Sequence, residues 1–228
     1  MTSPQSALEA LKALADPQIA AKTAKLNKVD RPYLGVSNPQ IDVLYKEWRN
    51  DTDINQRVVI AAYLWDSNIH EARIAAAKLL TQARINPDKI VWDEIMRWVP
   101  DCDTSEISGH VCAAGARRLP ADLERLDTLE LWTTDRSMWV RRATLTMTLP
   151  WAKLNHPTAV DLTARDRVLG WAAIFASDHD PIMQKAIALW LRTLSKHDKQ
   201  SVLDFLDAYG SQMNASALKE ASVHLAIN

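Results

Sequence analysis

The chain has 228 residues, 47% hydrophobic and 24% charged, and 27 Lys and Arg against 28 Asp and Glu leave a net charge of −1. This composition excludes a disordered polyelectrolyte, allows a sizeable core and gives no overall cationic footprint for nucleic acid. Five glycines against nine tryptophans and ten prolines, with abundant Ala and Leu, is a helix-rich balance short of the tight turns that hairpin-based β folds need, so the predicted class is all-α.

Ser3 to Ala15 reads as an amphipathic helix with Leu8, Leu11 and Leu14 on one face, ended by Asp16-Pro17, and a second helix runs to about Asn27. Arg31 to Pro39 holds two prolines and a glycine and is a loop; Asn38-Pro39 then opens a helix carrying Ile41, Leu44, Tyr45 and Trp48. Further helices are predicted near 54–66, 69–83, 87–99, 104–118, 122–132, 136–149, 158–176, 180–195, 198–209 and 214–226. No long linker interrupts them, so residues 1–228 read as a single domain with an irregular N-terminal part over about 1–50.

Asp135-Arg-Ser-Met-Trp-Val-Arg-Arg-Ala143 opens with a capping Asp and carries two adjacent arginines. Its frame recurs at Asp178, Gln184, Lys185, Ala186 and Leu191, and more loosely at Ser67, Arg73, Ala75 and Leu80. The step from Asp135 to Asp178 is close to the roughly 40–47 residues of a HEAT-like repeat, whereas the step from Ser67 to Asp135 is not. The expected architecture is an α-solenoid of HEAT-like helical repeats whose second helices line a concave groove.

Charge is uneven along the chain. Residues 1–49 hold 7 basic and 5 acidic side chains, residues 50–134 hold 9 and 14, and residues 135–228 hold 11 and 9. The arginine pair lies in the last of these. One of Arg141 and Arg142 can ion-pair with a neighbouring helix, but Lys185 stands one repeat after Arg142, and two cations on adjacent helices suit a phosphate backbone. Arg142 is the expected groove-facing member, since neighbouring helix positions point about 100° apart. Trp139 and Trp190 read first as core and second as ligand-stacking groups.

Asp101-Cys-Asp-Thr-Ser-Glu106 concentrates carboxylates at a helix start. In the plain structural reading Asp103 caps the helix and Glu106 closes a capping box; in the functional one a carboxylate projects into the groove to steady a developing cation. Cys102 and Cys112, with His110 between them, form neither a disulfide framework nor a four-ligand zinc motif, so no metal and no cofactor is expected. No apolar run nears the roughly 18 residues of a membrane span and the N-terminus lacks signal-peptide character, which leads one to expect a cytoplasmic protein with no membrane partner.

Four segments in order carry a resemblance: Tyr33-Leu-Gly-Val-Ser-Asn-Pro-Gln-Ile41, Leu64-Trp-Asp-Ser67, Trp139-Val-Arg-Arg-Ala143, and Gln184-Lys-Ala-Ile187 with Trp190-Leu-Arg192. From about residue 30 onward the chain resembles the AlkD-type DNA alkylation repair glycosylases. The resemblance implies a solenoid cupping double-stranded DNA, possibly alkylated, and excising cationic N3- or N7-alkylated purines, with Arg142 on a phosphate and Glu106 or Asp103 as the catalytic carboxylate. Arg141, Lys185, Trp139, Trp190 and Arg192 complete the expected DNA-binding set of a monomer. Against the family pattern, Cys102 replaces a tryptophan, Glu106 stands where an aspartate is expected, and the second tryptophan aligns to Leu189 with Trp190 one residue later. The alternatives are a non-catalytic member of the same family that recognises DNA structure, and a HEAT-type protein-protein scaffold.

Overall fold

The structure, a computed structural model, describes residues 2–225 and is all-helical, with no strand among the described residues. The chain divides between Arg118 and Leu119 into two compact units. The last residue of the helix expected over 214–226 lies outside the described residues.

The first unit contains α1 (Pro4–Lys12), α2 (Pro17–Asn27), α3 (Asn38–Asp51), α4 (Ile54–Asp66), α5 (His70–Leu80), α6 (Lys89–Trp98) and α7 (Ser105–Ala116). Its helix starts follow from local chemistry. Ser3 with Ser6, Ser37 with Gln40 and Asp53 with Gln56 form reciprocal capping boxes, Asp16 caps α2, and prolines occupy the first turns of α1, α2 and α3, where a missing N–H costs nothing. The packing is that of three hairpins, α1/α3, α4/α5 and α6/α7. First helices meet first helices (α1 on α4, α4 on α6) and second helices meet second helices (α3 on α5, α5 on α7). Helix α5 is central, and Ala72, Ala75, Ala76 and Ala77, all fully buried, let three neighbours approach it closely. Trp65 and Trp98 stack with ring centroids 4.7 Å apart between α4 and α6.

The second unit contains α8 (Arg125–Leu131), α9 (Met138–Met147), α10 (Leu149–Ala152), α11 (Ala159–Phe175), α12 (Pro181–Leu194), α13 (Lys199–Tyr209) and α14 (Ala215–Ala221). Here α12 is central and packs against α9, α14, α10 and α11, burying Met183, Ile187, Trp190, Leu191 and Leu194. The helix expected over 136–149 is broken at Thr148, whose hydroxyl donates to the carbonyls of Thr144 and Leu145, because Pro150 cannot continue the ladder. Trp139 and Leu149 are half-buried, and Ala143, Thr144 and Met147 fill the core.

The repeat frame has a physical explanation. Ser67, Asp135 and Asp178 each stand two residues before the N-cap, and their side-chain oxygens accept from the amides of Ile69, Ser137 and Asp180, which closes the turn between paired helices. Asp135 is thus a turn residue and Ser137 the N-cap of α9. The fourth residue of each following helix then donates back to that turn: Arg73 to the carbonyl of Trp65, Arg141 to those of Asp135 and Arg136, and Gln184 to those of Ala176 and Asp178. The same side chains grip the next hairpin, Arg73 at the Asp101 carbonyl, Arg141 at the Asp178 carboxylate, and Gln184 by accepting from the Asn214 amide.

Candidate functional site

In the first unit, successive second helices α3, α5 and α7 bring their N-termini together. Glu71, at the second position of α5, is almost fully buried and accepts 2.8 Å hydrogen bonds from the amides of Leu34 and Gly35, tying the 28–37 loop to the central helix. Gly35 sits at φ 78° with the backbone of Asp16 and Ala20 so close that a Cβ would lie 2.2 Å from the Asp16 oxygen. The loop is therefore held at both faces; it delivers Arg31 and Tyr33 to the start of α7 and leads into Asn38 at the start of α3.

The carboxylates at that start do not cap it. Thr104 is the N-cap, accepting from the Ile107 amide, while Asp103 pairs with the buried Arg31 guanidinium. Glu106 reaches away from its own helix. Its carboxylate accepts a 2.7 Å hydrogen bond from Asn38 Nδ2 and lies 3.2 Å from His70 Nε2. The capping-box expectation fails because Arg31 of the loop takes up Asp103 and donors from α3 and α5 take up Glu106.

Glu106 retains 39% of its side-chain exposure, so an outside group can still reach it. With Thr23, Ser37, Asn38, His70 and Glu71 it lines a cavity of about 170 Å³. The hydrogen bond from His70, opposed by burial and reinforced by Asn38, holds its carboxyl below the ordinary value of 4.5. His110, one turn further along α7, is pushed below 6.5 by burial. Glu106 is thus an anion through the neutral range, fixed by donors from two other helices. Such a group can stabilise a nearby cation or orient a water, and it cannot act as a proton donor there.

Cys102, in the position of an expected tryptophan, is buried and in no disulfide, its thiol against the Trp98 carbonyl. Arg73 covers the Trp65 ring at 4.6 Å, and Trp65 Nε1 points to Asp101 at 3.4 Å. Trp65 of α4 and Trp98 of α6 are both core.

In the second unit the expected binding residues separate. Arg141 is taken up by structure, with its 2.9 Å ion pair to Asp178 and two carbonyls of the preceding turn. Arg142 points elsewhere, its guanidinium 5.9 Å from the half-buried Trp139 ring. Lys185, the matching fifth residue of α12, is exposed and lines a cavity of about 310 Å³ with Gln184, Asn214, Ser216 and Glu220. Arg192 pairs with Glu220 at 3.2 Å and joins α12 to α14. Trp190 is fully buried at the centre of the unit, so its ring offers no surface to a ligand. Leu189 is half-buried.

Reading the sequence singled out Glu106 and Asp103 but gave no role to Arg31, Asn38 or His70. The first two lie in the Arg31–Pro39 loop segment, and His70 directly precedes the buried Glu71. A basic or amide side chain beside a loop or at a helix start carries no sign of which carboxylate it meets.

No curated protein sequence matches the chain significantly. A solved structure described as a predicted DNA alkylation repair enzyme from Enterococcus faecalis superposes with a TM-score of 0.76 over 94% of this chain and 98% of that one, at 19% identity, and so shares its fold. The DNA alkylation repair enzyme family matches residues 7–225, nearly the whole sequence, and the chain belongs to that family.

Proposed function

We propose that this protein acts in DNA repair by binding duplex DNA and releasing purines alkylated at N3 or N7, with Glu106 as the catalytic carboxylate. Family membership supports the repair role. The observation that carries the finer reading is the Glu106 carboxylate itself: ionised, reachable, beside a small cavity and held by Asn38 and His70. Alkylation at N3 or N7 makes the base cationic and a good leaving group. As the glycosidic bond breaks, its electron pair returns to the purine, which departs neutral, and the positive charge passes to C1′ of the sugar. Glu106 stabilises that charge; water adds at C1′ and gives up its proton to Glu106 or to solvent. Asp103 is the lesser candidate, since Arg31 already neutralises it. In the second unit Arg142 and Lys185 serve as phosphate contacts on neighbouring helices α9 and α12.

A second reading, DNA binding without excision, draws on Cys102 and Leu189, which offer no aromatic ring at the two positions where the resemblance leads one to expect one, and on the burial of the adjacent Trp190. Incubation with methylated duplex and quantification of free base separates the two. The proposal expects release of N7-methylguanine or N3-methyladenine and none of uracil, because Glu106, ionised in the neutral range, cannot protonate a neutral leaving group. Release no faster than spontaneous loss, with duplex binding intact, would establish the second reading.

A further inference from the structure

We propose that His70 is a positioning residue which, with Asn38, fixes the Glu106 carboxylate, so that the placement of this group is set by α3 and α5 rather than by the helix that carries it. The inference rests on Glu106 being the reactive carboxylate, as proposed above. Glutamate has one more rotatable bond than aspartate, and at an exposed helix start it would sample several rotamers. Here both oxygens are engaged, Oε1 by Asn38 at 2.7 Å and Oε2 by His70 at 3.2 Å. The extra methylene is what allows the carboxylate to reach across to two neighbouring helices.

The His70 ring is itself held. It is 1% exposed and rests against Tyr33 with ring centroids 5.0 Å apart, while the Tyr33 hydroxyl donates to the Val29 carbonyl. His70 Nδ1 has no hydrogen-bond partner. A histidine that orients a reactive group usually donates its other N–H to a carbonyl or carboxylate. Without that anchor the fitting tautomer carries its proton on Nε2, where it donates to Glu106, and leaves a bare lone pair at Nδ1 rather than an unsatisfied N–H. Packing against Tyr33 then sets the ring orientation that a second hydrogen bond would otherwise set. Tyr33 comes from the loop pinned by Glu71, so the sequence of contacts runs from the central helix through the loop and His70 to Glu106.

The ionisable groups around the carboxylate are His70 on α5 and His110 on α7, with Glu71 of α5 lining the same cavity and Lys78 of α5 and Asp42 of α3 beyond His110. Lys78 is itself paired with Asp42 at 2.6 Å. Removing the His70 donor leaves burial as the dominant influence on Glu106 and should move its titration upward.

The test is the titration of the Glu106 side-chain carboxyl by carbon-13 NMR of the glutamate-labelled protein, assigned by the signal lost in Glu106→Gln. In the wild type it should titrate below the ordinary glutamate range; in His70→Phe, which keeps the ring packing on Tyr33, it should move up, and in His70→Gln, which returns an N–H near Nε2, it should move back. Asn38→Ala, at the rim of the site, should raise it as well and serves if His70→Phe does not fold. On methylated duplex, His70→Phe should lower kcat by up to about 100-fold with little change in KM, and the acid limb of the rate profile should shift upward with the carboxyl. A Glu106 titration unmoved in folded His70→Phe and Asn38→Ala would overturn the positioning role. A wild type that releases no base would remove the excision reading alone, since the carboxyl titration would still decide the arrangement.

Discussion

Glu71→Ala isolates the connection between the central helix of the first unit and the loop that supplies the Glu106 site. The carboxylate accepts two 2.8 Å hydrogen bonds from backbone amides at an almost fully buried position. Removing one partner from a buried, hydrogen-bonded charge typically costs about 3–5 kcal/mol, and since alanine strands both amides a loss of that size is expected. Total stabilities are only about 5–15 kcal/mol. With a urea m value of about 2 kcal/mol/M, the midpoint followed by circular dichroism should fall by about 1.5–2.5 M. Glu71→Gln offers one acceptor and turns an NH2 toward the other amide, and it should fall between. The loop also carries Arg31 and Tyr33 and leads into Asn38 at the start of α3, so the same variants should let the Glu106 titration drift upward. A midpoint within about 0.3 M of wild type would refute the role assigned to Glu71.

Gly35→Ala should destabilise by about 2–4 kcal/mol in thermal melts, because its Cβ would meet the backbone of Asp16 and Ala20 at 2.2 and 2.6 Å and φ is 78°; an unchanged Tm would contradict this. Arg141→Ala should lower stability by about 1–3 kcal/mol through loss of the Asp178 pair. Arg142→Ala should instead weaken duplex binding and reduce its salt slope by about one unit, and equal effects of the two variants on binding would refute the division of labour. On acidification, stability should fall first below pH 6.5, where the unfolded chain protonates a His110 whose folded pKa is depressed, and again below 4.5 for Glu106. Both groups bind protons more readily when unfolded, so stability rises with pH through each window. His110→Gln should remove the upper step in urea midpoints, and a step that persists would assign it elsewhere.

The helices were legible because capping residues, prolines and apolar periodicity act locally, and nearly every predicted segment matches a helix to within a few residues. The Asp, Arg and Gln frame was legible as a repeat, but its meaning was not. Arg141 and Arg142 are alike in sequence, and only the carbonyls and carboxylate around Arg141 show that it closes a turn and grips the next hairpin. Trp190 illustrates the same limit, since it reads first as core and second as contact, and only the placing of its neighbours decides for the core. At Glu106 the local rule of helix capping gave the wrong partner, because Asn38 and His70 arrive through tertiary packing at separations of 68 and 36 residues.

The most direct test of the account compares wild type with Glu106→Gln for single-turnover release of N7-methylguanine from methylated duplex, at protein concentrations that saturate the DNA. The substitution keeps the side chain's size and removes its charge. The account predicts that release by the variant falls toward the spontaneous rate while duplex affinity and its salt dependence are kept. Equal release by the two proteins would contradict an electrostatic role for Glu106.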